Sequence, residues 1–108
     1  MKHVTYGDKS VLVGDRAADL LVEYAAAIAR RGDADHVTLS ALGPDGHDVE
    51  VTFLLNVGAT LVIETANTKQ PEPENSAAEA DMRRKLELLE NPPSAKPVEP
   101  ASGFDQLD

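Results

Sequence analysis

The stretch HVTLSALGPDGHDVEVTFLL, residues 36–55, decides how this chain folds. Its arms, His36 to Leu42 and Asp48 to Leu55, are rich in β-branched and apolar residues, the side chains that suit a pleated, half-buried surface. Between them Gly43-Pro44-Asp45-Gly46-His47 carries dense turn chemistry: proline fixes φ, aspartate bonds its own backbone and glycine tolerates positive φ. The segment reads as a hairpin. A register with Val37, Leu39 and Ala41 on the same face as Val49, Val51, Phe53 and Leu55 leaves Thr38, Ser40, Glu50 and Thr52 outward. A slip of one residue would turn the apolar set to water.

Working outward, Asn56-Val57-Gly58 reads as a second turn leading into Ala59 to Thr65, where Leu61 and Ile63 join the same buried face. The expectation on this side is a three-strand meander. On the other side, His3-Val4-Thr5-Tyr6 alternates at period two, Gly7-Asp8-Lys9 turns, and Ser10-Val11-Leu12-Val13 resumes an apolar run, which predicts an N-terminal hairpin.

Between the hairpins, Ala17, Leu20, Leu21, Tyr24, Ala25 and Ile28 recur at the spacing of an amphipathic helix over 15–31. Asp15 stands where it would cap the first turn. Acids lie toward the helix start, and Arg30 and Arg31 lie at its end, as the helix dipole favours. Gly32 supplies a left-handed stop. After a polar connector containing Pro71 and Pro73, Ser76-Ala77-Ala78-Glu79 has the spacing of a capping box. Ala78, Met82, Leu86 and Leu89 then make a narrow apolar stripe, flanked by the i, i+4 charge pairs Glu79–Arg83 and Asp81–Lys85.

Pro92 and Pro93 stop this second helix, and residues 92–108 hold four prolines and few apolar groups, too little to offset the entropy of ordering. The expected organisation is one α+β domain over 1–91 and a disordered, acidic, Pro-rich tail over 92–108. The domain is expected to have an antiparallel sheet of four to five strands, with the 15–31 helix packed across one face and the 76–91 helix against an edge or the same face.

At 108 residues, one core is expected. Aromatic residues make up only 4% of the chain and there is no tryptophan, so Ala, Val, Leu and Ile must build that core. The absence of cysteine removes disulfides, thiolate metal sites and cysteine nucleophiles and fits a cytoplasmic protein. No apolar run reaches a secretory signal or a membrane span. The net charge of −9 repels phosphate backbones, which argues against direct nucleic-acid binding.

No catalytic constellation emerges. His3, His36 and His47 lie on separate elements without ligand spacing, and the clusters at 33–36 and 45–48 match no calcium loop. Ser10, Ser40 and Ser76 lack a nucleophile-elbow context, and the glycines stand singly at turns rather than in a phosphate-binding loop. The chain therefore reads as non-enzymatic, with no cofactor.

Two sets of apolar residues are candidates for partner binding. Leu42, Leu54 and Val62 interrupt the polar face of the sheet. Phe104 and Leu107 sit among acids at the C-terminal tip, a pattern suited to folding on contact. Together with the charge they suggest an acidic protein-binding module of the immunity, antitoxin or chaperone kind, engaging a basic protein. A carboxylate-lined ligand or enzyme pocket between helix and sheet, and a homodimeric structural protein, are the alternatives.

The order of features resembles that of a family of small bacterial domains of unknown function. The likeness rests on Tyr6 in an opening strand, Asp15-Arg16 at a helix start, Arg30-Arg31-Gly32 at its end, a hairpin, and a proline-marked connector before a last helix. It spans about residues 4–90 at the level of layout and implies no catalytic residues.

Overall fold

The alternating segments form five strands and the two amphipathic segments form helices: β1 (Lys2–Tyr6), β2 (Lys9–Val13), α1 (Asp15–Arg30), β3 (Asp35–Leu42), β4 (Asp48–Leu55), β5 (Leu61–Thr65) and α2 (Ser76–Glu90). The structure is a computed structural model and describes residues 1–91. The tail expected over 92–108 lies outside the described residues. The strands make one antiparallel sheet in the order β4-β3-β2-β1-β5, an α+β arrangement.

The central hairpin has the register its alternation dictates. Val37 lies opposite Phe53, Leu39 opposite Val51 and Ala41 opposite Val49, while Thr38 faces Thr52 and Ser40 faces Glu50 on the outer side. There the hydroxyls of Thr38 and Thr52 bond each other at 2.8 Å.

The third strand of the expected meander pairs elsewhere. β5 lies against β1, with Ile63 opposite Val4 and Leu61 opposite Tyr6, so the two hairpins are joined side by side and β4 is left at one edge. Leu61 and Ile63 do face the core. They reach it beside Val4, on the side of β1 that β2 leaves open, rather than beside β4.

This pairing requires a curled sheet. The link 56–60 joins the two edge strands, and it is turned back on itself by the Ala59 amide bonding the Asn56 carbonyl at 3.1 Å. Such a link does not span the roughly 19 Å across a flat five-stranded sheet, at about 4.8 Å per strand. The curl shows directly in the contact of Tyr6 with β4. Its ring lies 6.0 Å from that of Phe53 and its hydroxyl donates to the Leu54 carbonyl, although two strands intervene in the sheet order. The two hairpins are joined at a single pair, Leu12 with Leu42.

α1 fills the concave face. Ala17, Leu20, Leu21, Tyr24 and Ile28 are buried, and they meet Val4, Val13, Leu39, Phe53 and Leu55 in one core. Small alanines on the buried face let the helix approach the sheet closely. Gly14, not Asp15, is the N-cap residue; Asp15 stands inside the first turn without a capping bond, where its charge still suits the dipole. At the other end Gly32 has φ of 67°. Its amide bonds the Ala29 carbonyl while that of Asp33 bonds Ile28, the Schellman closure.

α2 packs on α1 through Met82 and Leu86, with Ala78 and Leu89 partly buried. Its start departs from the capping box. Glu74 takes both the amide of Ser76, at 2.8 Å, and its hydroxyl, while the Glu79 amide bonds the Asn75 carbonyl at 2.8 Å. Lys85 sits 3.2 Å from Asp81 as its i, i+4 spacing predicts, and Arg84 bonds Asp81 as well. Among the described residues no helix is long and apolar enough to cross a membrane.

Candidate functional site

Which backbone groups β4 leaves free follows from the hairpin register. The Gly43 amide bonds the His47 carbonyl at 2.9 Å. In an antiparallel ladder every second pair exchanges hydrogen bonds, so Val49, Val51, Phe53 and Leu55 direct their amides and carbonyls to β3. Asp48, Glu50, Thr52 and Leu54 direct theirs away from it. Ser40 on β3 obeys the same parity: its amide and carbonyl point away from β4 and are taken by Asn75. The Leu54 carbonyl is taken by the Tyr6 hydroxyl. Asp48, Glu50 and Thr52 therefore present an open run of edge amides and carbonyls among the described residues.

Next to this edge the connector and the hairpin enclose an acidic groove. Residues 70–74 pass over the end of the outer sheet face, and the clefts beneath them adjoin one another through shared residues. The largest, about 520 Å³, runs between Asp48 and Gln70–Glu74 over Leu42. The next is lined by Ser40, Asp48, Glu50 and Glu74. Four carboxylates, Asp48, Glu50, Glu72 and Glu74, thus border the groove, and among the described residues no lysine or arginine lines it. The two hydrogen bonds from Ser76 lower the pKa of the Glu74 carboxyl from its ordinary value.

The candidate partner-binding residues are divided by this geometry. Leu42 is on the outer face, as its parity requires, but is only 5% exposed; the connector covers it, so it floors the groove and is not part of an open patch. Leu54 and Val62 are exposed, at 56% and 48%, on the two edge strands β4 and β5. Phe104 and Leu107 lie outside the described residues. No motif marks Glu72 and Glu74 in the sequence; the one signal for them is that the segment from residue 71 onward is the more acidic per residue.

A second charged cluster is a joint. Asp35, at the start of β3, accepts from the Tyr24 hydroxyl, from the His36 amide at 2.7 Å and from Lys85 at 3.3 Å. Lys85 also stands 5.9 Å from the centre of the Tyr24 ring. Burial alone would raise the Asp35 pKa, but these donors outweigh it and hold the carboxyl below its ordinary value. Burial and the bond to Asp35 push the Tyr24 hydroxyl well above its ordinary value. Each donor of Asp35 comes from a different packed element, so the cluster ties α1, β3 and α2 together. Among the described residues no group of three or more His, Asp or Glu side chains is arranged to hold a metal ion.

Comparison with protein-family models, with curated proteins and with solved structures finds no match to this chain.

Proposed function

We propose that this chain is a non-catalytic protein-binding module whose acidic groove receives a basic segment of a partner protein, in the manner of an immunity protein, antitoxin or chaperone. The observation that carries this reading is the placement of Asp48, Glu50, Glu72 and Glu74 around one groove that no lysine or arginine lines among the described residues. Several carboxylates on the packed elements are instead matched by a cation: Asp19 by Lys2 at 2.7 Å, Asp81 by Arg84 and Lys85, and Asp35 by Lys85. Unmatched like charges held side by side raise the local negative potential, which speeds and orients the approach of a cationic segment. We place the module in the cytoplasm, in keeping with a chain that has no cysteine.

The test is titration with a lysine-rich peptide at low and high salt, with a glutamate-rich peptide of equal length as control. The lysine-rich peptide is expected to bind at low salt and weaken as salt rises. The double reversal Asp48→Lys with Glu50→Lys is expected to reduce affinity about tenfold, the scale of two solvent-screened charge pairs. Binding that ignores both salt and charge reversal would overturn the reading.

A further inference from the structure

We infer that the open edge of β4 takes up the partner segment as an added strand, one whose basic and apolar residues alternate. This rests on the binding reading above and specifies the form of the ligand. Asp48, Glu50 and Thr52 offer amide and carbonyl together at every second residue, the repeat that an extended peptide matches. The run is bounded at one end by the β3–β4 turn and at the other by Leu54, whose carbonyl Tyr6 occupies. Three residues of β4 are thus available for pairing.

The two sides of this edge differ in chemistry, and the difference specifies the incoming side chains. On the outer side stand the carboxylates of Asp48 and Glu50, with Glu74 across the groove. On the inner side Val49 is 39% exposed and Val51 is partly exposed. Side chains of an added strand alternate between these sides. Its lysines or arginines meet Asp48 and Glu50 as cross-strand pairs, while the apolar residues between them cover Val49 and Val51. A second copy of this chain fits poorly at the same edge, because it would bring another Asp48 and Glu50, and a net charge of −9, against the first.

The test uses a peptide of alternating lysine and valine and two backbone N-methylated forms, one methylated at the lysines and the other at the valines. In an added strand one set of amides faces β4 and the other faces away. Methylating the facing set, the lysines in antiparallel pairing, is expected to weaken binding about tenfold or more, while the other set leaves it nearly unchanged. Amide exchange of the full chain gives an independent readout: Glu50 and Thr52 exchange quickly alone and slow on saturation with the peptide, whereas Val51 is slow throughout. Equal binding of both methylated peptides, with Glu50 and Thr52 still unprotected, would overturn strand addition while leaving the acidic groove as the binding surface. Failure of every basic peptide to bind at low salt would overturn both. A protein that sediments as a dimer and loses this state on Thr52→Pro would assign the edge to a second copy and overturn the proposed ligand.

Discussion

Asn75 and Ser40 bond each other twice: the Ser40 amide donates to Asn75 Oδ1 and Asn75 Nδ2 donates to the Ser40 carbonyl, both at 2.8 Å. β2 pairs with β3 at Leu12–Leu42 and then turns into α1, which leaves the next outward-pointing residue of β3 without a strand beside it. The Asn75 carboxamide stands in for the missing strand. Among the described residues Asn75 is also the one polar or charged residue in the buried set, at 7% exposure.

Asn75→Ala removes the partner of both Ser40 groups, whose bonds to Asn75 are part-buried, and is expected to destabilise the fold by about 1–2 kcal/mol. Asn75→Asp retains the acceptor but sets a carboxylate against the Ser40 carbonyl, so it should also destabilise. Denaturant unfolding of both variants beside the parent checks this; a loss below about 0.5 kcal/mol would show that water replaces the amide.

Acid and alkali should each weaken the joint at Asp35. Its carboxyl has a folded pKa below the ordinary 3.8, so its contribution is complete above that value and is lost as pH falls through the lower folded one. Tyr24 has a folded pKa above the ordinary 10.0; its contribution is complete below 10.0 and is lost as pH rises through the folded value. Tyr24→Phe is expected to cost about 1 kcal/mol at neutral pH and to flatten the alkaline limb of a stability profile, whereas Asp35→Asn flattens the acid limb. An alkaline limb unchanged in Tyr24→Phe would assign it to another group.

At Gly32 the φ of 67° would strain any side chain, while an added Cβ meets nothing within 4 Å. Gly32→Ala therefore isolates the backbone term and should cost about 1 kcal/mol. Gly32→Asn should recover part of that loss, because asparagine tolerates the left-handed region. Thermal unfolding of the two variants gives the comparison.

Adjacent leucines on β4 should behave oppositely. Leu55 is fully buried and Leu54 is 56% exposed. Leu55→Ala is expected to lose about 2–4 kcal/mol and Leu54→Ala less than about 0.5 kcal/mol. Similar losses from both would contradict the register.

The register of the β3–β4 hairpin was legible because Val37, Leu39, Val51 and Phe53 alternate on both sides of a strong turn. The neighbour of β5 was not legible. Leu61 and Ile63 say which face of a strand is buried, and a period of two says nothing of which strand lies beside it; that choice was made by the open side of β1. Asn75 closes a proline-marked connector, where asparagine is an ordinary turn residue, and its bond to Ser40, 35 residues away in the chain, leaves no local trace. The Ser76–Glu79 spacing fits a capping box, but Glu74 lies two residues before Ser76 and captures it first. For the candidate site, the polar outer face and the acidity were readable, whereas the covering of Leu42 depends on where the connector crosses the sheet.

The position of β1 between β2 and β5 sets an expectation for how this protein acquires its structure. The β1–β2 and β3–β4 hairpins can each zip locally, but the other side of β1 stays unpaired until a segment about sixty residues further along the chain closes onto it. Contacts of such long sequence separation raise contact order and slow folding. If β5 docks last, Val4 and Tyr6 line an unpaired strand edge until it does, and such an edge is open to misassembly.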